Sequence, residues 1–341
     1  MKPALSRWIR LSFGTAITIS CLWLALRKVP VGGMRESLEH VRWSWIVTAL
    51  MLLAVGYTAR IYRWWLMLRA SNPAVSLRAC AWPLIVGFAV NNVVPFRAGD
   101  VVRAVGFKER LGASAPQVLG SLVVERILDL TILLIALVVG IVGLTGGTSS
   151  VPVSYQRTAA IMAGFGIMGW ALLLVVGDQL ESVILRALQH RSIASRAWVS
   201  SAEHHVKTLF LALKLVRAPE RALGLLAIST VVWVCEGGVF WAVANSLEYR
   251  GSPLGPWFAL ATGSLSTLIP SSPGYVGTFE FFTISGFTAY GASNSIAAAA
   301  ALIVHGVLWL PLTMTGLGYL LVRPVFGGPS SQQVAQTQER M

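Results

Sequence analysis

The sequence predicts an all-α, polytopic membrane protein with two inverted-topology repeats, each containing a re-entrant helical hairpin. Three observations predict it. The first is composition: the 341 residues are 55% hydrophobic and 12% charged, where a soluble domain carries roughly 25% charged residues. The second is an interruption. The apolar run Ala81 to Val94 has 14 residues, short of the roughly 20 that a helix needs to cross a bilayer, and it ends in Pro95-Phe96-Arg97-Ala98-Gly99-Asp100 with Arg103 just beyond. Pro95 lacks an amide hydrogen and biases Val94 away from helix, and Gly99 permits backbone conformations that other residues resist. Broken backbone at membrane depth persists only where protein or a wet cavity satisfies its polar groups. The third observation is a second copy. Pro270 and Gly274 have the separation of Pro95 and Gly99, and Leu122–Leu130 aligns without a gap on Leu302–Leu310, which places Glu125-Arg126 on His305-Gly306.

Taken in order, residues 1–43 hold a first span from about Leu11 to Leu26 and a connector. No convincing small-residue cleavage site follows that span, so it reads as a retained helix rather than a signal peptide. Repeat one, 44–145, has a span from about Trp45 to Leu68 carrying Arg60 and Arg63, a hairpin over about 82–106, and a span from about Val118 to Leu144. Residues 146–220 hold a span from about Thr158 to Val176 and a basic stretch, Asp178 to Arg221, with apolar residues at helical intervals. That pattern suits amphipathic helices on the membrane surface or a partly helical connector. Repeat two, 221–322, has a span from about Leu223 to Leu247 carrying Glu236, a broken segment over about 257–290, and a last span from about Ser295 to Val322. Glu236 lies 34 residues before Pro270 and Arg60 lies 35 before Pro95, so the repeat extends upstream of the breaks. The Gly/Ser/Gln-rich tail, 323–341, reads as disordered.

The net charge of +13 does not point to nucleic acid, because the cations lie mostly between apolar spans. They set topology instead. With the N-terminus in the cytoplasm and each hairpin returning to its side of entry, inside regions hold 18 Lys and Arg against 6 outside. Hairpin one then opens from the cytoplasm and hairpin two from the other face. The C-terminus is also cytoplasmic, and the membrane is the cell inner membrane. The cysteines, Cys21, Cys80 and Cys235, show neither disulfide nor metal spacing, and no cofactor is expected.

Charges inside spans cost at least about 2.5 kcal/mol each on insertion scales, so they demand partners. Glu125 and Asp129 share a helix face and Arg126 projects beside it. Arg60, Arg63, Arg97 and Arg103 are candidate cationic partners, with Asp100 beside them, and Glu236, Glu280 and His305 are the counterparts in the second half. Guanidinium groups bind phosphate bidentately and helix ends add aligned N–H donors, so the cluster suits a lipid phosphate. The alternative is that these charges pair only among themselves and fix helix packing. Asn91 and Asn92 either line the cavity or cap the broken helix. Ser271–Gly277 has no Lys-Ser/Thr pair after it and is no nucleotide loop. The tryptophans, among them Trp43, Trp45, Trp64 and Trp65, read as an aromatic belt at span ends.

Over roughly residues 10–322 the chain resembles the transmembrane region of the lysylphosphatidylglycerol synthases, a family of flippase-like membrane domains. Pro95–Asp100 with Arg103, Glu125-Arg126 with Asp129, and Pro270 with Pro273-Gly274, Gly277 and Glu280 carry the resemblance. It implies a transporter, not an enzyme, that moves a phospholipid or a lipid-linked head group between leaflets. It also implies that the matching residues Arg97, Asp100, Arg103, Glu125, Arg126, Asp129 and Glu280 form the head-group cavity, with Pro95, Gly99, Pro270, Pro273, Gly274 and Gly277 shaping the hairpin backbone; the reading of the charges and of the break adds Arg60, Arg63, Asn92, Glu236 and His305 to the substrate-binding candidates. Asp100 stands where Glu is common in the family. The expected partner is an anionic lipid or a polyprenyl-phosphate-linked lipid, with a homo-oligomer or a separate glycosyltransferase or synthase as possible protein partners. The chain ends about 20 residues after its last span, so aminoacylation of a lipid is not expected of it. No ATP-binding motif is visible, which leaves downhill or ion-coupled movement. The competing functions are an intramembrane enzyme acting on a lipid phosphate and a non-catalytic membrane partner of a synthase.

Overall fold

The computed structural model describes residues 3–95, 97–145, 182–187 and 218–323, with isolated positions between 164 and 210. The expected span at Thr158–Val176, most of the basic stretch and the tail after Arg323 lie outside the described residues. Every regular element among the described residues is helical. They form α1 (Pro3–Leu26), α2 (Val31–Glu39), α3 (Trp43–Arg69), α4 (Leu77–Val93), α5 (Ala98–Val101), a π-turn (Val102–Gly106), α6 (Lys108–Leu111), α7 (Ala115–Thr145), α8 (Pro219–Ser246), α9 (Gly255–Ser266), a 3-10 turn (Pro273–Tyr275), α10 (Thr278–Ala289) and α11 (Asn294–Val322).

The long helices α3, α7, α8 and α11 are long and apolar enough to cross a membrane, and a fifth span results if α1 and α2 are taken as one. The protein is thus a multi-pass membrane protein. The first apolar helix, α1, stops at Leu26, where the sequence places the end of the first span, and the chain then turns by 81° into α2. Pro30 is the physical reason, because it fixes its own φ and holds an extended backbone ahead of α2.

Both halves run in the same order: a long helix, a short one, a break, a short helical limb and a long helix. In the first half, Ser76 caps α4 by accepting from the Ala79 amide at 3.2 Å, and α4 ends where Val94 goes extended ahead of Pro95. After the break, α5 and the π-turn fold back on α4. The closest approach is at Gly99, where an added Cβ would lie 1.8 Å from the Gly87 carbonyl oxygen, so no larger residue fits without opening the limbs. The chain then runs on through α6 to Leu111. In the second half, α9 and α10 pack against each other across the break. Gly277, at φ +87°, sits under α1 and donates its amide at 2.6 Å to the Glu280 carboxylate, which satisfies one orphan donor at the start of α10.

The two halves pack reciprocally. The first helix of each half, α3 and α8, lie antiparallel along each other. The Arg42 amide bonds the Ser246 carbonyl at one end, Gly56 meets Cys235 in the middle, and Arg63 reaches Ser229 near the other end. The short helix α4 packs on α11, and its counterpart α9 packs on α7. Small residues allow these close contacts: Gly316 against Ala89, and Gly140 against Phe258. The apolar core runs from α3 and α8 into α9, α10 and α11, with a second cluster under α3, α4 and α7.

Candidate functional site

The charged residues of the spans converge between the halves. Arg60 of α3 pairs with Glu236 of α8 and stands 3.9 Å from the Asp129 carboxylate of α7. Its guanidinium is boxed by aromatic rings, 5.1 Å from Trp233, 5.6 Å from Tyr57 and 5.8 Å from Phe88. One turn along α3, Arg63 is fully buried and donates at 2.7 Å to both Asp129 and the Ser229 hydroxyl, while Trp233 donates to the same Asp129 oxygen at 3.1 Å. Asp129 is therefore shared by three helices, as the i, i+3 spacing of Arg60 and Arg63 allows.

A second cluster joins the folded-back limb to α7. Arg103 makes a forked contact with Glu125, at 3.1 and 3.5 Å, and lies 4.2 Å over the ring of Trp64. Arg126 reaches Glu125 at 3.5 Å and Asp100 at 3.9 Å. Asp100 accepts from the Asn91 side chain at 3.1 Å, and Asn91 in turn accepts from the Gly99 amide at 2.8 Å. Asn91 thereby both caps α5 across the break and lines the cavity, so the two roles left open by the sequence coincide. Asn92 also lines the cavity and donates to Thr313 of α11 at 2.9 Å.

In the second half, Glu280 of α10 pairs with His305 of α11. This mirrors the Arg103–Glu125 pair: the aligned positions Glu125 and His305 each tie the last span of their half to the limb folded back after the break. The sign of the pair is reversed. The same reversal links Arg60 to its counterpart Glu236.

A cavity of about 260 Å³ opens between these clusters. Arg60, Arg97, Arg126, Asp129, Glu236 and His305 face it, with Asn91 and Asn92 from the first break and Thr267, Leu268, Gly274 and Tyr275 from the second. A neighbouring cavity of about 400 Å³ lies between the two breaks and includes Pro95, Arg97, Pro270, Pro273 and Gly274. Arg97 belongs to both. It has a left-handed backbone, φ 53°, which a non-glycine residue adopts only at a cost, and it makes no ion pair among the described residues. Of the sequence-derived candidates, Arg63, Arg103, Glu125, Asp100 and Glu280 stand behind this wall and hold it; the other charged candidates face the space.

Several lining residues escape sequence reading. Tyr57, Phe88, Trp233 and Trp309 form aromatic walls, and nothing in their spacing separates them from ordinary core rings. Trp64 is a correction: it is fully buried over Arg103 and donates to Ser121 at 2.9 Å, rather than sitting in an interfacial belt. A tryptophan one residue from Arg63 in a charged helix is the signal that was available for this.

A family model described as the lysylphosphatidylglycerol synthase TM region matches residues 11–316. The chain is similar to a protein named glycosyltransferase AglD from Haloferax volcanii, 26% identical over 370 residues that cover 100% of this chain and 58% of that protein. It therefore spans little more than half the length of that relative. It is also similar to a UPF0104 membrane protein from Methanothermobacter thermautotrophicus, 23% identical over 323 residues, covering 89% of this chain and 91% of the relative.

Proposed function

The chain belongs to the lysylphosphatidylglycerol synthase transmembrane-region family, and from that premise we propose that it is a flippase-like transporter. It moves an anionic phospholipid or a lipid-linked head group between leaflets of the inner membrane through the charged cavity between its halves. The observation that carries this reading is Arg97: a cation without an ion-pair partner among the described residues, held on broken backbone where both cavities meet. Phosphate is the ligand class that suits a guanidinium so placed, with Arg60 and Arg126 beside it. A cavity of about 260 Å³ lies near the lower end of ligand pockets, roughly 300–1,000 Å³, so it takes a head group and leaves acyl or prenyl chains in the bilayer.

The reciprocal packing supports two inverted repeats with re-entrant breaks. Two equivalent helices that lie antiparallel, with α4 on α11 answered by α9 on α7, fit a two-fold axis across the helices, which is an axis in the membrane plane when α3 spans. Such halves expose the site to one leaflet and then the other by moving against each other. Bridging Asn92→Cys to Thr313→Cys, whose parent side chains touch at 2.9 Å, ties the halves together. In vesicles carrying a fluorescent anionic lipid, the bridge is expected to stop exchange between leaflets and a reductant to restore it. Unchanged exchange with the bridge formed contradicts the proposal.

The similarity to a protein named a glycosyltransferase favours one second reading, a membrane partner for glycosyl transfer. That reading expects lipid exchange to be absent and Arg97→Ala to leave function intact.

A further inference from the structure

Resting on the transport reading, we propose that Tyr275 is the second half's counterpart of Arg97, a ligand-contacting residue whose hydroxyl donates to the head-group phosphate from the opposite break.

The backbone relates the two residues. Three non-glycine residues among those described take a left-handed conformation: Arg97 at φ 53°, Glu248 at φ 51° and Tyr275 at φ 60°. Glu248 lies in the connection after α8 and pairs with Arg42. The other two lie at the breaks. Each comes two residues after a proline, Pro95 or Pro273, and each offers its carbonyl to the residue three further on. The Asp100 amide donates to Arg97 at 3.0 Å and the Thr278 hydroxyl to Tyr275 at 2.9 Å. Their separation of 178 residues is close to the 180 that relates Leu122 to Leu302, and closer than the 175 between Pro95 and Pro270. Arg97 and Tyr275 are thus equivalent positions of the two halves. A residue other than glycine adopts this conformation only at a cost, and such residues cluster where a site holds them.

The two residues also share one space. Both line the cavity of about 260 Å³ and the cavity of about 400 Å³. Gly274 brings the second break against the first there: an added Cβ would lie 3.3 Å from the Asn92 carbonyl oxygen and 3.0 Å from Trp309 Nε1. The backbone groups of Tyr275 are satisfied locally, its amide by the Ser272 carbonyl at 3.0 Å and its carbonyl by Thr278. Its hydroxyl makes no hydrogen bond among the described residues, although the side chain is half-buried. A tyrosine hydroxyl so placed ordinarily has a partner. A phosphate meets that need. Arg97 supplies charge to one of its oxygens and the phenol a neutral O–H donor to another, so a single ligand is held from both breaks.

A glycerophospholipid and a prenyl carrier share this phosphate, and binding to the purified full chain in detergent separates them. Tryptophan fluorescence reads it, since Trp233 and Trp309 line the first cavity. The probes are dihexanoyl phosphatidylglycerol and farnesyl phosphate, with dihexanoylglycerol and farnesol as counterparts that lack phosphate. Tyr275→Phe removes only the hydroxyl. It is expected to keep the wild-type unfolding midpoint and to leave the phosphate-free probes unchanged. Whichever phosphate probe binds is expected to weaken by about tenfold, the scale of one hydrogen bond to a charged group. Tighter binding of one phosphate probe assigns the source. Unchanged affinity for the phosphate probes in Tyr275→Phe, an equal loss for the phosphate-free ones, or no binding of either phosphate probe to the wild type overturns the inference. Arg97→Gln keeps this apart from the transport reading. Phosphate binding lost in Arg97→Gln but kept in Tyr275→Phe removes Tyr275 and leaves transport standing. A phosphate-specific loss in Tyr275→Phe, with no exchange between leaflets in wild-type vesicles, sinks transport and leaves Tyr275 at the site.

Discussion

At the scale of single residues, the charges of the spans divide into those that hold the wall and those that face the space. Arg103 belongs to the wall. It is fully buried against Glu125 and Trp64, so Arg103→Ala strands a buried carboxylate and is expected to cost about 3–5 kcal/mol of stability. Arg97 has no ion-pair partner among the described residues, and Arg97→Ala is expected to change unfolding stability in detergent by no more than a surface substitution does, about 0.5 kcal/mol. Thermal unfolding of the two variants side by side checks this; equal destabilisation would place Arg97 in the wall too. The sequence announced these charges, because an Arg, Asp or Glu inside an apolar run is conspicuous. It did not announce which were paired, since pairing across α3, α7 and α8 depends on helix rotation and crossing. The aromatic lining was invisible for a similar reason: Trp233 and Trp309 carry the same apolar signal whether they face a core or a cavity.

At the scale of elements, the broken segments decide where the backbone ends converge. Pro95 and Gly99 stop α4 and let the limb from Ala98 fold back on it, and Pro270 with Gly274 and Gly277 does the same between α9 and α10. Gly99→Ala places a methyl against the Gly87 carbonyl, so it is expected to separate the limbs, lower the yield of folded protein and unseat Arg103. A folded variant with wild-type stability would mean that the limbs are not in contact there. The four long helices were legible to within a few residues from apolar length alone, and both breaks were legible from Pro–Gly spacing. The end of the first apolar helix at Leu26 was legible as well, whereas the turn that follows it ahead of Pro30 was not.

At the scale of the whole molecule, the antiparallel pairing of α3 and α8 and the exchange of partners between halves suit a two-fold relation. It carries a prediction about topology. Ala70, after α3, and Arg250, after α8, follow equivalent helices of opposite direction and are exposed. In a background without Cys21, Cys80 and Cys235, Ala70→Cys and Arg250→Cys are expected to react with an impermeant maleimide from opposite sides of sealed vesicles. Labelling of both from one side would rule out inversion. Most directly, the account stands or falls on lipid movement in proteoliposomes, read by dithionite quenching of a fluorescent anionic lipid, with wild type and Arg97→Ala compared at equal reconstitution. The prediction is exchange above protein-free vesicles, lowered by about tenfold to a hundredfold in the variant, as expected for loss of one charged hydrogen bond. Exchange that is absent in wild type, or unchanged in Arg97→Ala, would contradict it.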